Sequence, residues 1–255
     1  MSTLDFEAIA QAAESAADLA RREILPRFRS VAVETKADGS PVTEADRAAE
    51  RVICEHLRGA FPDHAIIGEE FGAQGPPDGP CWLIDPIDGT VGFSRGIPLF
   101  TTLLALLEAG EPVFGLIDCP ALGERYVGWK GGGCRRNGQP TRVSQETDLR
   151  QAIVSHGDPF CFEAFGARKV FERMVVECGL LRGYTDAFGH AMVLGGGVGA
   201  MVDLWLNPWD AAATQVLVPE AGGHCVTLHD RDGKIGLVFG SPALVEQLES
   251  FFGDS

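Results

Sequence analysis

No stretch of this 255-residue chain approaches the ~18 uninterrupted apolar residues of a membrane-spanning helix, so no membrane span is expected. The opening Met1-Ser2-Thr3-Leu4-Asp5 lacks the basic region and apolar run of an export signal, and a cytoplasmic location is expected. Seven cysteines are present, an odd number, with no C-x-x-C pair. They read as reduced, mostly buried thiols, not as a disulfide framework or a zinc site. The six histidines show no H-x-x-H or H-E-x-x-H spacing, and His56 falls on the apolar side of its helix as a core or boundary residue. G-x-S-x-G is missing, which argues against a serine hydrolase. Positive charge is scarce: 21 Lys and Arg face 36 Asp and Glu, a net charge of −15. Such a field repels nucleic acid and anionic membranes, so neither is an expected partner. An anionic substrate would need cations at the site.

What is present alternates between helix and strand periodicity. Phe6, Ile9, Ala13, Ala16, Ala20, Ile24 and Phe28 recur at spacings of three and four, predicting a helix over 5–29 that Pro26 kinks or ends. Lys36-Ala-Asp-Gly-Ser-Pro-Val reads as a turn. Thr43, with Asp46 three residues on, predicts a capping box and a helix to about Gly59. Strands are predicted at 64–67, 81–85, 101–108, 112–119 and 124–130, with a Gly/Pro-rich loop at 72–80 and a turn at Asn137-Gly138. Beyond 146 the pattern becomes strand 152–156, helix 160–178, strand 180–184, helix 187–196, strand 201–206, helix 208–221, strands 224–228 and 235–239, and helix 242–252. The fold class is therefore α/β: an α+β N-terminal half, 1–146, and an α/β C-terminal half, 147–255, packed as one body. Gly195-Gly-Gly197-Val-Gly-Ala200 fits a loose dinucleotide fingerprint, but its helix comes first and its strand second, so close packing of small residues is the better reading.

The candidate chemistry starts at Asp85-Pro86-Ile87-Asp88-Gly89-Thr90. An apolar strand presents two carboxylates at its end, Gly89 allows close approach, and the N–H groups of Gly89 and Thr90 open a turn toward an anion. Carboxylate oxygens suit Mg²⁺ better than a soft metal. Taken singly, the other acids have plain accounts. Glu69 and Glu70 read as loop charges, Asp210 as a first-turn acid favoured by the helix dipole, and Asp46 as a cap.

Taken together, the segments resemble the inositol monophosphatase superfamily. They are Lys36…Asp38-Gly-Ser-Pro-Val-Thr43-Glu-Ala-Asp46, Ile67-Gly-Glu69-Glu70, Trp82-Leu-Ile-Asp85-Pro-Ile-Asp88-Gly-Thr90, and Trp209-Asp210 with Glu220-Ala-Gly-Gly223. Their order and spacing are family-like over essentially the whole chain. Val91-Gly92 departs from the small polar residue and Asn usual there. The resemblance implies an αβαβα layered sandwich and a Mg²⁺-dependent, Li⁺-sensitive phosphatase for a small-molecule phosphate monoester. It implies two to three Mg²⁺ ions. Glu69, Asp85 and the Ile87 carbonyl would hold one, and Asp85, Asp88 and Asp210 a second, with Glu69 helping a weaker third. Thr90, hydrogen-bonded to Asp46, would orient a metal-activated water for in-line attack, and Gly89 and Thr90 would bind the phosphate. Glu69 would thus serve both catalysis and metal binding.

Phe93-Ser-Arg95-Gly-Ile-Pro-Leu-Phe100, Tyr184-Thr-Asp186-Ala-Phe-Gly and Asn207-Pro-Trp-Asp210 look more like the histidinol-phosphatase branch, within histidine biosynthesis, than the inositol branch. Histidinol phosphate carries an ammonium and an imidazole, for which Asp186, near a helix start, and Asp203, at a strand end, are the candidate acceptors. Their plain alternatives are an N-cap and a solvated strand end. Arg95 either reaches the substrate or anchors its loop. A phosphatase for inositol or related polyol phosphates, and an inactive binding protein on the same fold, are the alternatives. The oligomeric state is left open, with a homodimer among the arrangements allowed.

Overall fold

The computed structural model describes residues 4–36, 39–76, 78–229 and 233–253. Met1–Thr3 of the opening segment, Ala37 and Asp38 of the turn, and Pro77 of the Gly/Pro-rich loop lie outside the described residues. Helix α1 (Phe6–Ile24) buries Ile9, Ala13, Ala16, Ala20 and Ile24 of the predicted stripe, leaves Phe6 half-buried, and gives way before Phe28 to a single 3₁₀ turn, Leu25–Arg27, at Pro26. A small hairpin, β1 (Val33–Thr35) and β2 (Pro41–Thr43), leads into α2 (Glu44–Ala60), whose Thr43/Asp46 capping box is present.

The first large sheet follows: β3 (Ala65–Gly68), β4 (Gly72–Gln74), β5 (Cys81–Asp88), β6 (Thr101–Glu108), β7 (Glu111–Cys119), β8 (Glu124–Trp129), β9 (Gly133–Arg136) and β10 (Gln139–Pro140). A short helix, α3 (Thr90–Ser94), interrupts it after β5. The spatial order is β10-β9-β8-β7-β6-β5-β3-β4, antiparallel except where β3 meets β5. The second sheet comes from β11 (Ile153–His156), β12 (Leu180–Arg182), β13 (Ala200–Leu206), β14 (His224–His229) and β15 (Ile235–Gly240), in the order β12-β11-β13-β15-β14. Helices α4 (Pro159–Ala164), α5 (Arg168–Glu177), α6 (Asp186–Leu194), α7 (Pro208–Glu220) and α8 (Pro242–Gly253) complete it.

Strand alternation sorts side chains into three cores. On β5, Trp82 and Ile84 face α1 and α2, while Leu83 faces the middle of the molecule. On β13, Met201 faces the middle, while Ala200, Val202 and Leu204 face α4, α5 and α8. Each fully buried large apolar side chain contributes roughly 1.5–3 kcal/mol. The result is five layers, αβαβα, with α6 and α7 between the sheets. Helix α7 packs on both sheets and is apolar nearly all round, as a doubly covered helix must be. Its alanines permit this closeness: a Cβ on Gly115 of β7 would come within 2.7 Å of the Ala213 carbonyl.

Several expected boundaries shift. The predicted helix 160–178 is two helices, α4 and α5, broken at Gly166, whose φ is +76°. Asn137-Gly138 does turn a hairpin, but between β9 and β10, two strands that periodicity does not reveal. The loop 72–80 contains β4. Strand β5 continues past Asp85 to Asp88, with its register against β6 broken between those two acids. All seven cysteines are free. Among the described residues, no helix is long and apolar enough to cross a membrane.

Candidate metal centre and active site

Oxygens of Asp85, Asp88 and Asp210 come within 4.8 Å of one another. The β5 irregularity explains the first two: a regular strand would turn one of two acids three residues apart to the opposite face. Asp210 arrives from the first turn of α7, where it completes a capping box. Asn207 N–H and Nδ2 donate to its Oδ2 at 2.7 and 3.1 Å. Asp88 Oδ2 accepts from the Ala187 N–H at 2.6 Å, tying the start of α6 to the cluster. Burial and mutual repulsion push all three carboxyls upward. Asp85 and Asp88 lie well above the usual carboxylate range, and Asp210 rises to about 7.

Beside this trio, Asp46 accepts from the Thr43 N–H and hydroxyl, and Thr90 Oγ1 lies 3.1 Å from Asp46 Oδ1. Thr90 Oγ1 is also 2.9 Å from the Ile87 carbonyl oxygen, so its single proton has two acceptors. Gly89, at φ +83°, turns the chain from β5 into α3, a conformation that favours glycine. Glu69 lies outside the trio but near enough that its charge helps raise the Asp85 carboxyl. Lys36 Nζ donates to its Oε1 at 2.8 Å and to Glu70 Oε1 at 2.7 Å. Burial lifts the Glu70 carboxyl to about 7 even against that ammonium. Neither glutamate is therefore a plain loop charge.

Asp88 and Asp210 of the trio line a cavity of about 170 Å³, together with Asp158, Asp186, His190, Asp203 and Trp205. No Lys or Arg lines it among the described residues. Asp186 is the first residue of α6, not its N-cap, and its φ of +59° is rare for a side-chain-bearing residue. Its Oδ2 would lie 3.2 Å from a Cβ on Gly89, which puts it against the turn after β5. Burial and nearby Asp203 raise its carboxyl to about 6. Asp203 is not a solvated strand end. It lies within β13, 4% exposed, with Oδ2 3.0 Å from His190 Nε2. Its Oδ1 sits over Gly157, where a Cβ would come within 1.9 Å. Arg95 caps the end of α3 and is exposed.

Over residues 2–249 the chain matches the inositol monophosphatase family. The chain belongs to the inositol monophosphatase family. It is 37% identical over 229 residues to a histidinol-phosphatase of Chlorobaculum parvum, covering 89% of this chain and 88% of that one. It is 39% identical over 229 residues to a histidinol-phosphatase of Streptomyces coelicolor, covering 85% of each. Its fold matches an inositol monophosphatase from Zymomonas mobilis with a TM-score of 0.84 at 31% identity, over 98% of this chain and 99% of that one. As a member of the inositol monophosphatase family, the chain is a phosphoric monoester hydrolase of a metal-dependent family.

The residues present fit a divalent cation. The donors are hard carboxylate oxygens, and Asp85 Oδ1 is buried with no hydrogen-bond partner among the described residues. Buried acids this close repel strongly unless a cation neutralises them.

Sequence reasoning missed Glu50, His190 and Thr214. Glu50, fully buried on α2, accepts from the Glu70 N–H at 2.8 Å and the Phe71 N–H at 2.9 Å. It thereby fixes the loop that carries Glu69. A Cβ on Gly68 would lie 2.0 Å from Glu50 Oε1, so only glycine leaves room for this grip. Glu50→Gln keeps one acceptor and turns an amide NH₂ toward the other N–H. It is expected to cost about 1.5–3 kcal/mol and to lower the melting temperature by roughly 3–10 °C. An unchanged thermal melt would remove the grip from the stability of this loop.

Proposed function

We propose that this family member hydrolyses histidinol phosphate to histidinol and phosphate. The observation that carries the reading is the cavity beside the carboxylate trio, walled by Asp158, Asp186 and Asp203 with no basic side chain among the described residues. Such walls suit a substrate with a cationic, donor-rich end and a phosphate end. The similarity to two histidinol-phosphatases supports it. A polyol phosphate is the second reading, because the same carboxylates accept hydrogen bonds from hydroxyls and the fold also matches an inositol monophosphatase.

In this reading Asp85, Asp88 and Asp210 hold Mg²⁺, joined by Glu69 and the Ile87 carbonyl for a second or third ion. Bound there, the cations supply Lewis acidity to the phosphoryl group and acidity to the attacking water. The chain's own groups do the rest. Thr90 Oγ1 donates its one proton to Asp46 or Ile87 and keeps lone pairs that accept from a water and aim it at phosphorus. Asp46 Oδ1 is placed to receive the proton through that hydroxyl. Backbone N–H groups at Gly89 and Thr90 would donate to the equatorial phosphate oxygens. Attack in line forms the new P–O bond as the ester P–O bond breaks, and the departing ester oxygen takes a proton from solvent water to leave as the alcohol, with no phosphorylated residue.

Asp186 would accept from the cationic end. A hydrogen bond to a charged partner contributes roughly 1.5–3 kcal/mol, so Asp186→Asn is expected to lower kcat/KM for histidinol phosphate about 10- to 150-fold. The loss on glycerol phosphate should be much smaller. Equal losses on both esters would take Asp186 out of recognition. The deciding test of the function is a panel of phosphate esters with the wild-type protein. Preference for inositol 1-phosphate over histidinol phosphate would overturn the substrate and leave the metal chemistry standing.

A further inference from the structure

We propose that His190 is a positioning residue that fixes Asp203 as a specificity acceptor for the cationic end of the substrate. The inference rests on the substrate reading above. His190 is 1% exposed, and both of its ring nitrogens are engaged. Nε2 lies 3.0 Å from Asp203 Oδ2 and Nδ1 lies 2.7 Å from Thr214 Oγ1. The ring edge packs on Phe239, with centroids 4.7 Å apart and planes at 67°. An imidazole so held has no freedom to serve as a moving acid or base, but it can hold a neighbour still.

Asp203 needs holding. It is a buried acid among other acids, and a buried carboxylate is tolerated only with donors. His190 Nε2 grips one oxygen, and the second rests over Gly157, where no Cβ intervenes. The plane of the carboxylate is thereby set while Asp203 still lines the cavity.

Spacing on two helices supports a functional arrangement. Asp186, at the start of α6, and His190, four residues on, both line the cavity. Asp210 and Thr214 are four apart on α7 and share one face. Helix α6 thus brings one acceptor directly and a second through Asp203. Helix α7 brings a cluster carboxylate with one residue and anchors His190 with the other. The Thr214–His190–Asp203 chain joins the recognition wall to the helix that carries Asp210.

The test compares His190→Gln, His190→Asn and Thr214→Val with wild type, measuring kcat and KM for histidinol phosphate and glycerol phosphate. The Gln amide nitrogen reaches where ring Nε2 was and still donates to Asp203. The shorter Asn reaches only toward Thr214. His190→Asn is expected to lose about tenfold or more in kcat/KM on histidinol phosphate relative to glycerol phosphate, chiefly in KM. His190→Gln should recover most of the preference, and Thr214→Val, which keeps side-chain shape, should lose part of it. Equal losses on both esters, a loss confined to kcat, or Gln and Asn behaving alike would overturn the inference. If His190→Asn fails to fold, Thr214→Val decides, and an unchanged preference overturns it. Wild-type protein with no preference for histidinol phosphate overturns the substrate reading and this inference together. Variants without effect, on a wild type that has the preference, overturn only the inference.

Discussion

Asp88→Asn and Asp210→Asn are each expected to lower turnover by about 10³-fold or more while raising the melting temperature of the metal-free protein. The first effect follows, in the proposed mechanism, from the loss of a cation ligand, since Lewis-acid stabilisation is worth several kcal/mol and about 1.36 kcal/mol is tenfold in rate. The second follows from burial and repulsion. Asp210 rises from 3.8 to about 7, through burial first and neighbouring acids after. An acid raised in the folded state binds more protons folded than unfolded between its two pKa values, so stability falls as pH rises through that window. Metal-free protein should therefore melt progressively lower from about pH 4 to about pH 7. Asn does not titrate, so the variants should flatten this slope. Cation binding needs the deprotonated acids, so stabilisation by Mg²⁺ should grow with pH over the same range. Calorimetric melts in EDTA and in Mg²⁺, beside phosphate release, read all of this. Full turnover in verified metal-free protein would sink the mechanism. So would a Mg²⁺-induced rise in melting temperature that survives unchanged in Asp88→Asn.

Thr90→Ala is expected to reduce kcat about 10²-fold or more, the loss typical of a preorganised transition-state group, with Mg²⁺ affinity nearly unchanged. Thr90 Oγ1 touches Asp46 and the Ile87 carbonyl oxygen, and it is not in the carboxylate trio. In the proposed mechanism, removing it deletes the group that aims the water and leaves the trio intact. Mg²⁺ titrations followed by calorimetry, together with steady-state kinetics, separate the two effects. If Thr90→Ala weakened Mg²⁺ binding as much as Asp88→Asn does, the division of labour between orienting and ligating residues would be wrong.

Features written in local chemistry were legible in the sequence. Thr43 and Asp46 sit at capping-box spacing, and the box is there. The apolar run Trp82-Leu83-Ile84 predicted a strand, and that strand delivers Asp85. The carboxylates of the trio could be named because several motifs agreed, although the break in β5 that brings Asp85 and Asp88 together left no mark in periodicity. Contacts made across the fold were not legible. His190 meets Asp203 thirteen residues on and Thr214 twenty-four residues on, through packing between layers. The search for metal-type His spacing passed over it. Glu50 did leave a signal: it falls on the buried stripe of α2 with Asp46, Ala49, Ile53 and Leu57, where a charge needs an explanation. The break at Gly166 went unseen because an isolated glycine is also tolerated within helices.

Gly68 and Gly157 carry a lesson for saturation mutagenesis of this enzyme. Neither has the left-handed backbone that ordinarily demands glycine, and neither carries a side chain that touches substrate. Each is the floor under a buried carboxylate, Glu50 in one case and Asp203 in the other. Even alanine at these positions would push into an oxygen at 2.0 or 1.9 Å. In a growth-based scan both would rank beside the proposed cation ligands, so intolerance of substitution at these two glycines reports lack of space and not chemistry of their own. Shortening the acid is the way to tell them apart. For Gly68, a loss of thermal stability that Glu50→Ala relieves belongs to the scaffold; Gly157 takes the same test by melting temperature alone, because Asp203→Ala itself removes the proposed substrate acceptor.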